Sequence, residues 1–366
     1  MKEKNCKYFP ECGGCDFLDL SEEEYRKLKQ KNFWDIAKNF IPNFNFGVEW
    51  VWVEAHSRRR LTFQVDAKNQ LGFFVKKSNK NIVAIDACFA AEQSISDLIL
   101  PLKKLLTKQE QNFFHQIIIT SFEGGLDMVC KVKREPNFSQ IQKLTDFARD
   151  NNCNASYQFQ SRVTPVFLLR KNQILCSSNN GFEFKIDLNS NAFIQATKLG
   201  LAGIVAIISD FVKNNFLDKI KVVDLYSGFG IYSFVISQFA KSVFAFEGSE
   251  TMVLSIRSNA IANGVEGKIK AEIRDLFFNP LGLNELRNFD LIIINPPRNG
   301  ASPQILEISK IRKKSALIYI SCNPESFFRD AKILLDSGFY LLKLVVLDQF
   351  FGTSHLEIVA IFTTNP

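Results

Sequence analysis

The spacing of apolar residues changes character near residue 185. Before that position, an amphipathic helix is predicted at 22–40, and short alternating runs follow that we expect to pair as antiparallel strands. These runs lie at 48–53, 61–65, 72–75 and 82–85. Beyond it, helix-period segments alternate with apolar runs, which is typical of a parallel sheet covered by helices. The pattern predicts an α+β domain at 1–187 and an α/β domain at 188–366.

The stretch at 221–250 organises the second domain. A predicted strand ends in the turn Tyr226-Ser227-Gly228-Phe229-Gly230, a helix follows, and the next strand ends on Glu247. A glycine turn that opens a helix points free N–H groups at a ligand, and an acidic residue about 20 positions on can bind a ribose. The third glycine of the dinucleotide fingerprint is missing, which disfavours a nicotinamide and favours a nucleoside-type cofactor, chiefly S-adenosylmethionine. An ordinary βαβ unit is the alternative.

A cysteine stands where a parallel strand is expected to reach its ligand-binding end. Cys322 follows a predicted strand at 316–321, and Pro324 fits the first position of the next helix. Because a helix N-terminus stabilises a thiolate, we expect Cys322 to be a good nucleophile at neutral pH. The alternative is a small buried core residue.

A second candidate lies near the C-terminus, where the last strand is predicted at 356–362. Alternation would place the side chains of His355 and Glu357 on one face of that strand. Apolar neighbours would partly desolvate the Glu357 carboxylate and raise its pKa, which suits a general base. A surface glutamate is the alternative.

Four of the eight cysteines are grouped apart from the others. Cys6, Cys12 and Cys15 surround a Gly13-Gly14 pair, and Cys88 is distant in sequence. Four thiolates can hold zinc or a 4Fe–4S cluster, and a grouping of three plus one favours the cluster over the two close pairs usual for zinc. Zinc and unliganded cysteines stay open as alternatives.

Charge and hydropathy narrow the class of protein. Residues 1–185 carry 27 Lys and Arg against 21 Asp and Glu, so most of the net charge of +7 lies in the first half. RNA is a natural partner for this excess, and a modest solubility charge is the alternative. No run of about 18 apolar residues and no signal peptide is present, so we expect a cytoplasmic monomer with reduced thiols and no membrane partner.

Taken together, these motifs resemble one family over nearly the whole chain. They are the grouped cysteines, Phe193-Ile194-Gln195, the turn with Asp224 before it, Asn295-Pro296-Pro297-Arg298, Ser321-Cys322-Asn323 and His355-Leu356-Glu357. In this order they are similar to the S-adenosylmethionine-dependent RNA 5-methyluridine methyltransferases. The resemblance implies a Rossmann-like class I methyltransferase domain, preceded by an α+β domain that carries an iron–sulfur cluster.

The resemblance also implies a role for each matched residue. Cys322 would add to carbon 6 of uracil, and Glu357 would remove the proton from carbon 5 of a base that has left its stack. The implied cofactor contacts are Gln195, Tyr226, Gly228, Glu247 and Asn295. The implied 4Fe–4S ligands are Cys6, Cys12, Cys15 and Cys88.

Two positions depart from the family pattern. Asn295 stands where many relatives have Asp, and Ala196-Thr197 stand where relatives show a polar residue and Asn. Only five residues precede Cys6, so we expect the N-terminal RNA-binding barrel of some relatives to be absent. A cluster without that barrel resembles the members that act on 23S ribosomal RNA. The alternatives are the same chemistry on transfer RNA, an adenine or cytosine methyltransferase that uses Asn295-Pro296-Pro297, and an RNA-binding protein whose site has decayed.

Overall fold

A computed structural model describes residues 6–177 and 183–365; the predicted loop at 179–180 lies outside them. The helices of these ranges are α1 (Glu22–Phe40), α2 (Gln93–Thr107), α3 (Phe138–Asp150), α4 (Lys198–Asn215), α5 (Ile231–Ile236), α6 (Glu250–Ala262), α7 (Leu283–Leu286), α8 (Ser302–Ile308) and α9 (Pro324–Asp336). The strands are β1 (Glu49–Trp52), β2 (Arg60–Val65), β3 (Leu71–Phe74), β4 (Ile82–Ala84), β5 (Phe114–Phe122), β6 (Gly125–Val132), β7 (Cys153–Phe159), β8 (Arg162–Phe167), β9 (Asn172–Ser177), β10 (Glu183–Leu188), β11 (Ile220–Leu225), β12 (Ala240–Glu247), β13 (Ile269–Ile273), β14 (Leu291–Ile294), β15 (Ala316–Ser321), β16 (Tyr340–Asp348) and β17 (Glu357–Thr363). Among these residues, no helix combines the length and the apolar content that a membrane crossing requires.

The second half of the chain, together with β1, builds an eight-stranded, mostly parallel sheet. Its order is β1-β16-β17-β15-β14-β11-β12-β13, and β17 runs antiparallel to both of its neighbours. Every residue of β14, β15 and β17 is buried, because apolar layers cover both faces of the sheet. The predicted doubly wound α/β architecture is confirmed, and such sheets bind ligands at the carboxyl ends of their parallel strands.

A second sheet of seven strands lies between residues 60 and 167. Its order is β4-β3-β2-β5-β6-β7-β8, and only β6 and β7 pair in parallel, because α3 connects them. The residues of α2 and α3 share a core with this sheet that includes Phe63, Ile117 and Leu144. This part of the chain has the predicted α+β character.

The predicted antiparallel pairing is wrong for β1. This strand pairs in parallel with β16 at the edge of the eight-stranded sheet, where Trp50 aligns with Val346. Helix α1 also packs there, with the ring of Phe33 5.2 Å from that of Phe328 in α9. Local alternation could not reveal this, because the partner strand lies far along the chain. The predicted boundary between the two domains at 187/188 stays a prediction.

A buried ion pair fixes α1 to the end of β16. Lys29 Nζ lies 2.5 Å from Asp348 Oδ1, and both side chains are 1% exposed. The Tyr25 hydroxyl donates to Asp348 Oδ2 at 2.5 Å, and Lys29 also donates to the His355 carbonyl at 2.8 Å. These contacts compensate the buried charges, so removing one partner leaves the other charge uncompensated.

We expect Lys29→Met to lower the free energy of unfolding by about 3–5 kcal/mol, because it leaves the buried Asp348 carboxylate without its cation. Lys27→Met is the matched control on the same helix, since Lys27 pairs with Glu23 in solvent, and it should change stability by at most about 0.5 kcal/mol. Urea unfolding of both variants measures the difference. Equal stabilities would contradict the prediction.

Candidate active site

The carboxyl edge of the eight-stranded sheet brings Cys322 and Glu357 together. Antiparallel pairing of β15 with β17 aligns Ser321 with Ile358. Continuing this register by one residue, Cys322 follows Ser321 and Glu357 precedes Ile358, so Cys322 and Glu357 lie opposite each other. Because β17 runs against the other strands, its first residue reaches the edge where the parallel strands end.

The Cys322 thiol is half-buried in the turn between β15 and α9. The expected lowering of its pKa by the helix N-terminus is wrong: burial raises the pKa, and the nearby Glu357 carboxylate raises it further. The Arg298 guanidinium opposes this rise by hydrogen-bonding the thiol. Arg298 Nη2 also lies 3.0 Å from His355 Nδ1. Arg298 is thus the cation next to a Cys322 thiolate.

The Glu357 carboxyl is buried in the sheet. Burial raises its pKa to about 8, as expected for a desolvated carboxylate, while a hydrogen bond from Gln349 Nε2 at 2.9 Å lowers it. The expected shared face with His355 is wrong, because β17 begins only at Glu357 and His355 is exposed in the loop before it.

The turn after β11 has the open backbone that a nucleotide-like ligand needs. Tyr226, Gly228 and Gly230 have positive φ angles of 58°, 56° and 75°. A Cβ atom on Gly228 would meet no other atom within 4 Å, so open space lies over this residue. Glu247 accepts hydrogen bonds from the backbone N–H groups of Gly228 and Ser249, both at 3.0 Å, which hold its carboxylate beside the turn. The buried Tyr226 hydroxyl has no hydrogen-bond partner within 6–177 and 183–365, and a polar ligand atom would satisfy it.

Asn295 and Gln195 lie near this turn. The backbone N–H of Asn295, directly after β14, donates to the Leu225 carbonyl at 3.2 Å. The buried amide of Gln195 donates from Nε2 to the Tyr232 hydroxyl at 3.0 Å and accepts at Oε1 from Gln349 at 2.7 Å. Tyr232 and Gln349 were not found from the sequence, because the residues that they contact are distant along the chain.

The four grouped cysteines line one cavity. Cys6, Cys12, Cys15 and Cys88 border a space of about 330 Å³. Burial raises the pKa of the Cys15 thiol, and the other three thiols raise it further, so all four are close enough to interact. Within the described ranges, no three or more His, Cys, Asp or Glu side chains are arranged to hold a metal ion. The structure brings the thiols together without assigning them a metal.

The segment that carries these cysteines contacts the loop at 349–356, which leads into β17. The backbone N–H of Asp16 donates to the Gly352 carbonyl at 2.6 Å, and Asp16 Oδ2 accepts from the Ser354 N–H at 3.1 Å. A Cβ atom on Gly352 would stand 3.4 Å from Cys15 Sγ. The cysteine cavity and the candidate catalytic residues therefore share one loop.

A model of the tRNA (uracil-5-)-methyltransferase family matches residues 36–364. The chain belongs to this family. The expected class of enzyme, an S-adenosylmethionine-dependent RNA methyltransferase, is confirmed. The match includes the glycine turn, Cys322 and Glu357, but it begins after Cys15 and does not test the proposed cluster ligands near the N-terminus.

Relatives of this family align over nearly the whole chain. A 23S rRNA (uracil(1939)-C(5))-methyltransferase RlmD of Haemophilus parainfluenzae is 28% identical over 98% of this chain and 82% of its own length. An uncharacterized RNA methyltransferase of Zymomonas mobilis is 30% identical over 99% of this chain and 89% of its own length. The solved tRNA (uracil-54, C5)-methyltransferase of Pyrococcus abyssi shares the fold, with a TM-score of 0.70 and 21% identity over 96% of this chain and 86% of that one.

The expected subgroup stays a prediction. The family resemblance led us to expect the 23S rRNA methyltransferase called RlmC, whereas the 23S relative described above carries the name RlmD.

The buried Glu357 carboxyl predicts a pH-dependent stability. In the unfolded chain it ionises near 4.5, and in the folded chain at about 8. Between these values the folded state binds the extra proton, so the carboxyl makes the protein less stable as pH rises, by about 1.4 kcal/mol per pH unit.

We therefore expect Glu357→Gln to gain stability relative to wild type as pH rises from about 5 to about 8, because the amide has no proton to lose. Asp224, whose pKa burial raises to about 7, contributes equally to both proteins and cancels. Urea unfolding of both proteins over this range measures the effect. Parallel stability curves would be incompatible with a carboxyl that is protonated when folded.

Proposed function

We propose that this chain transfers a methyl group from S-adenosylmethionine to carbon 5 of a uridine in 23S ribosomal RNA. The observation that carries the chemistry is the meeting of the Cys322 thiol and the buried Glu357 carboxyl at one sheet edge. Carbon 5 of uracil becomes nucleophilic only when a nucleophile adds to carbon 6, and a base must then remove its proton. The substrate is supported by the 23S relatives and by the basic excess of residues 1–185.

The residues around the glycine turn fit a nucleoside cofactor. S-adenosylmethionine supplies the electrophilic methyl group when bound. We assign the ribose to Glu247 and further contacts to Tyr226, Gly228 and Asn295, because these groups combine open backbone space with an unsatisfied hydroxyl at strand ends. Gln195 joins this set through its hydrogen bond to Tyr232, which lies in the helix opened by the turn.

In the proposed reaction, Cys322 acts as the nucleophile. Its thiolate sulfur forms a bond to carbon 6, and the C5–C6 π electrons move to carbon 5 and the O4 enolate. The Arg298 guanidinium stabilises the thiolate before attack and so opposes part of the rise in thiol pKa that burial causes. Carbon 5 then forms a bond to the methyl carbon as the bond between that carbon and the sulfonium sulfur breaks.

Glu357 acts as the base that completes the reaction. Its carboxylate takes the proton from carbon 5, the C–H electrons restore the C5–C6 double bond, and the bond from carbon 6 to Sγ breaks. Cys322 is thereby returned as a thiolate. A pKa of about 8 suits this task, since proton transfer is most efficient when the pKa of the base lies close to the working pH.

We further propose that Cys6, Cys12, Cys15 and Cys88 hold a 4Fe–4S cluster. The four thiols line one cavity, and their grouping of three plus one in the sequence favours a cluster over zinc, which usually takes two close pairs. The chemistry above involves no net oxidation or reduction, so the cluster is assigned a structural or RNA-positioning role.

The reaction is tested with methyl-labelled S-adenosylmethionine, anaerobically purified protein and protein-free 23S ribosomal RNA, with transfer RNA in parallel. We expect labelled 5-methyluridine from 23S RNA, no product with Cys322→Ala, and a rate about 10²- to 10⁴-fold lower with Glu357→Gln. Cys153→Ala is the matched control, because Cys153 is buried in the other sheet, and it should keep its activity.

The outcomes separate substrate from mechanism. Label in transfer RNA alone would keep the chemistry and overturn the proposed substrate. Product formed by Cys322→Ala would overturn the nucleophile, and a labelled adenine or cytosine would favour an amine methyltransferase that uses Asn295-Pro296-Pro297.

The cluster is tested by analysing iron and sulfide in anaerobically purified protein. We expect about four of each per chain, and loss of both with Cys88→Ser, because a cluster of this type needs all four thiolates. Cys176→Ser is the control, since Cys176 lies outside the cysteine cavity. Stoichiometric zinc without iron would contradict the proposal.

A further inference from the structure

Gln349 is a fully buried amide between two residues of the candidate site. It follows directly after β16 and is 0% exposed. Its Nε2 donates to Glu357 Oε2 at 2.9 Å and to Gln195 Oε1 at 2.7 Å. Both N–H groups of the amide are therefore used, and both go to groups with proposed roles in the reaction.

The surroundings fix the direction in which this amide points. Its carbonyl oxygen faces α4, where a Cβ atom on Gly200 would stand 2.3 Å from it. That oxygen has no hydrogen-bond partner in the described part of the chain. An unsatisfied buried acceptor is costly. In exchange for this unsatisfied oxygen, both N–H groups of the Gln349 amide are directed at Glu357 and Gln195.

The hydrogen bonds continue from Gln349 to the cofactor side of the site. Gln195 in turn donates from its Nε2 to the Tyr232 hydroxyl at 3.0 Å. Tyr232 lies in the first turn of α5, which the glycine turn opens. The network thus joins the start of β17, the end of β16, the segment before α4, and α5.

Glu357 is held by one oxygen only. Oε2 accepts from Gln349, and no hydrogen bond to Oε1 occurs among the residues that the structure describes. The titratable groups that face this carboxyl are Cys322 from the turn after β15 and Tyr232 from α5. Gln349 is a neutral donor that fixes the carboxylate without adding a charge to the site.

We propose that Gln349 is the positioning residue of the base: it clamps Oε2 of Glu357 so that Oε1 receives the proton from carbon 5 of uracil. The inference rests on the proposed function. A clamp of this kind fixes the carboxylate relative to the Cys322 adduct and, through Gln195, relative to the cofactor helix. It also favours the ionised form, because a hydrogen bond to the carboxylate lowers the Glu357 pKa.

The test compares Gln349→Met with a matched control, Gln304→Met. Gln304 is also fully buried and makes two hydrogen bonds, both to the backbone of Leu281, away from the site. Methionine keeps the length of either side chain and removes the donor. Urea unfolding confirms that both variants are folded, and Gln349→Leu replaces Gln349→Met if the latter is not.

For Gln349→Met we expect kcat to fall about 10- to 100-fold with KM for RNA nearly unchanged, because proton removal follows binding. The rising limb of the pH–rate profile should move up by about one unit, since the carboxylate has lost its donor. The bond between Cys322 and carbon 6 of the methylated base should persist, giving a protein–RNA adduct on a denaturing gel. Gln304→Met should lose stability and show neither change.

A pH profile for Gln349→Met that matches wild type and Gln304→Met, with no adduct, would overturn the positioning role. Product formation by Cys322→Ala would instead overturn the proposed function itself, so the two failures are distinguishable.

Discussion

The antiparallel pairing of β17 with β15 is the constraint on which the site depends. In a purely parallel sheet, strand starts and strand ends lie at opposite edges, so a residue at the start of one strand cannot meet a residue that follows another. Reversing one strand removes that restriction. The register that aligns Ser321 with Ile358 places Glu357 opposite Cys322, and a shift of one residue would turn the carboxyl to the other face of the sheet.

Burial of Cys322 and Glu357 shifts the pKa values of both groups and makes their charged forms costly. Desolvation raises the pKa of the carboxyl and of the thiol, and the Glu357 carboxylate raises the thiol pKa further, whereas Arg298 favours the thiolate. The loop that joins β16 to Glu357 must therefore be held firmly, and it is held from outside the methyltransferase sheet. Lys29 of α1 fixes its beginning, and backbone contacts with Asp16 fix its middle. The N-terminal segment thus contributes to the site although it supplies no reacting atom.

Much of the fold could be predicted from local pattern, because strands buried on both faces are read directly as apolar runs. The strand before Cys322 was found in this way, and the glycine turn was recognised from its own residues. The features that were missed all depend on distant partners. The parallel pairing of β1, the exposure of His355 and the raised pKa of Cys322 follow from which chain segment lies alongside, and no local periodicity encodes that. No sequence motif surrounds Gln349, so it can be recognised only from its contacts in the folded structure.

The close approach of Gly200 to Gln349 has a consequence for how this sequence can change over evolutionary time. A side chain at position 200 would collide with the amide oxygen at 2.3 Å, so the glycine is compatible with the glutamine while most other residues are not. The two positions are far apart in the chain yet cannot drift independently. A Cβ atom at position 200 would also stand 2.9 Å from Thr197 Oγ1 and 3.1 Å from Gln349 Cβ, so a shorter residue at 349 removes only the tightest of three contacts. Alanine at position 200 therefore requires changes both in the loop residue 349 and at the helix N-cap Thr197, so a single mutation at either neighbour does not make it tolerable.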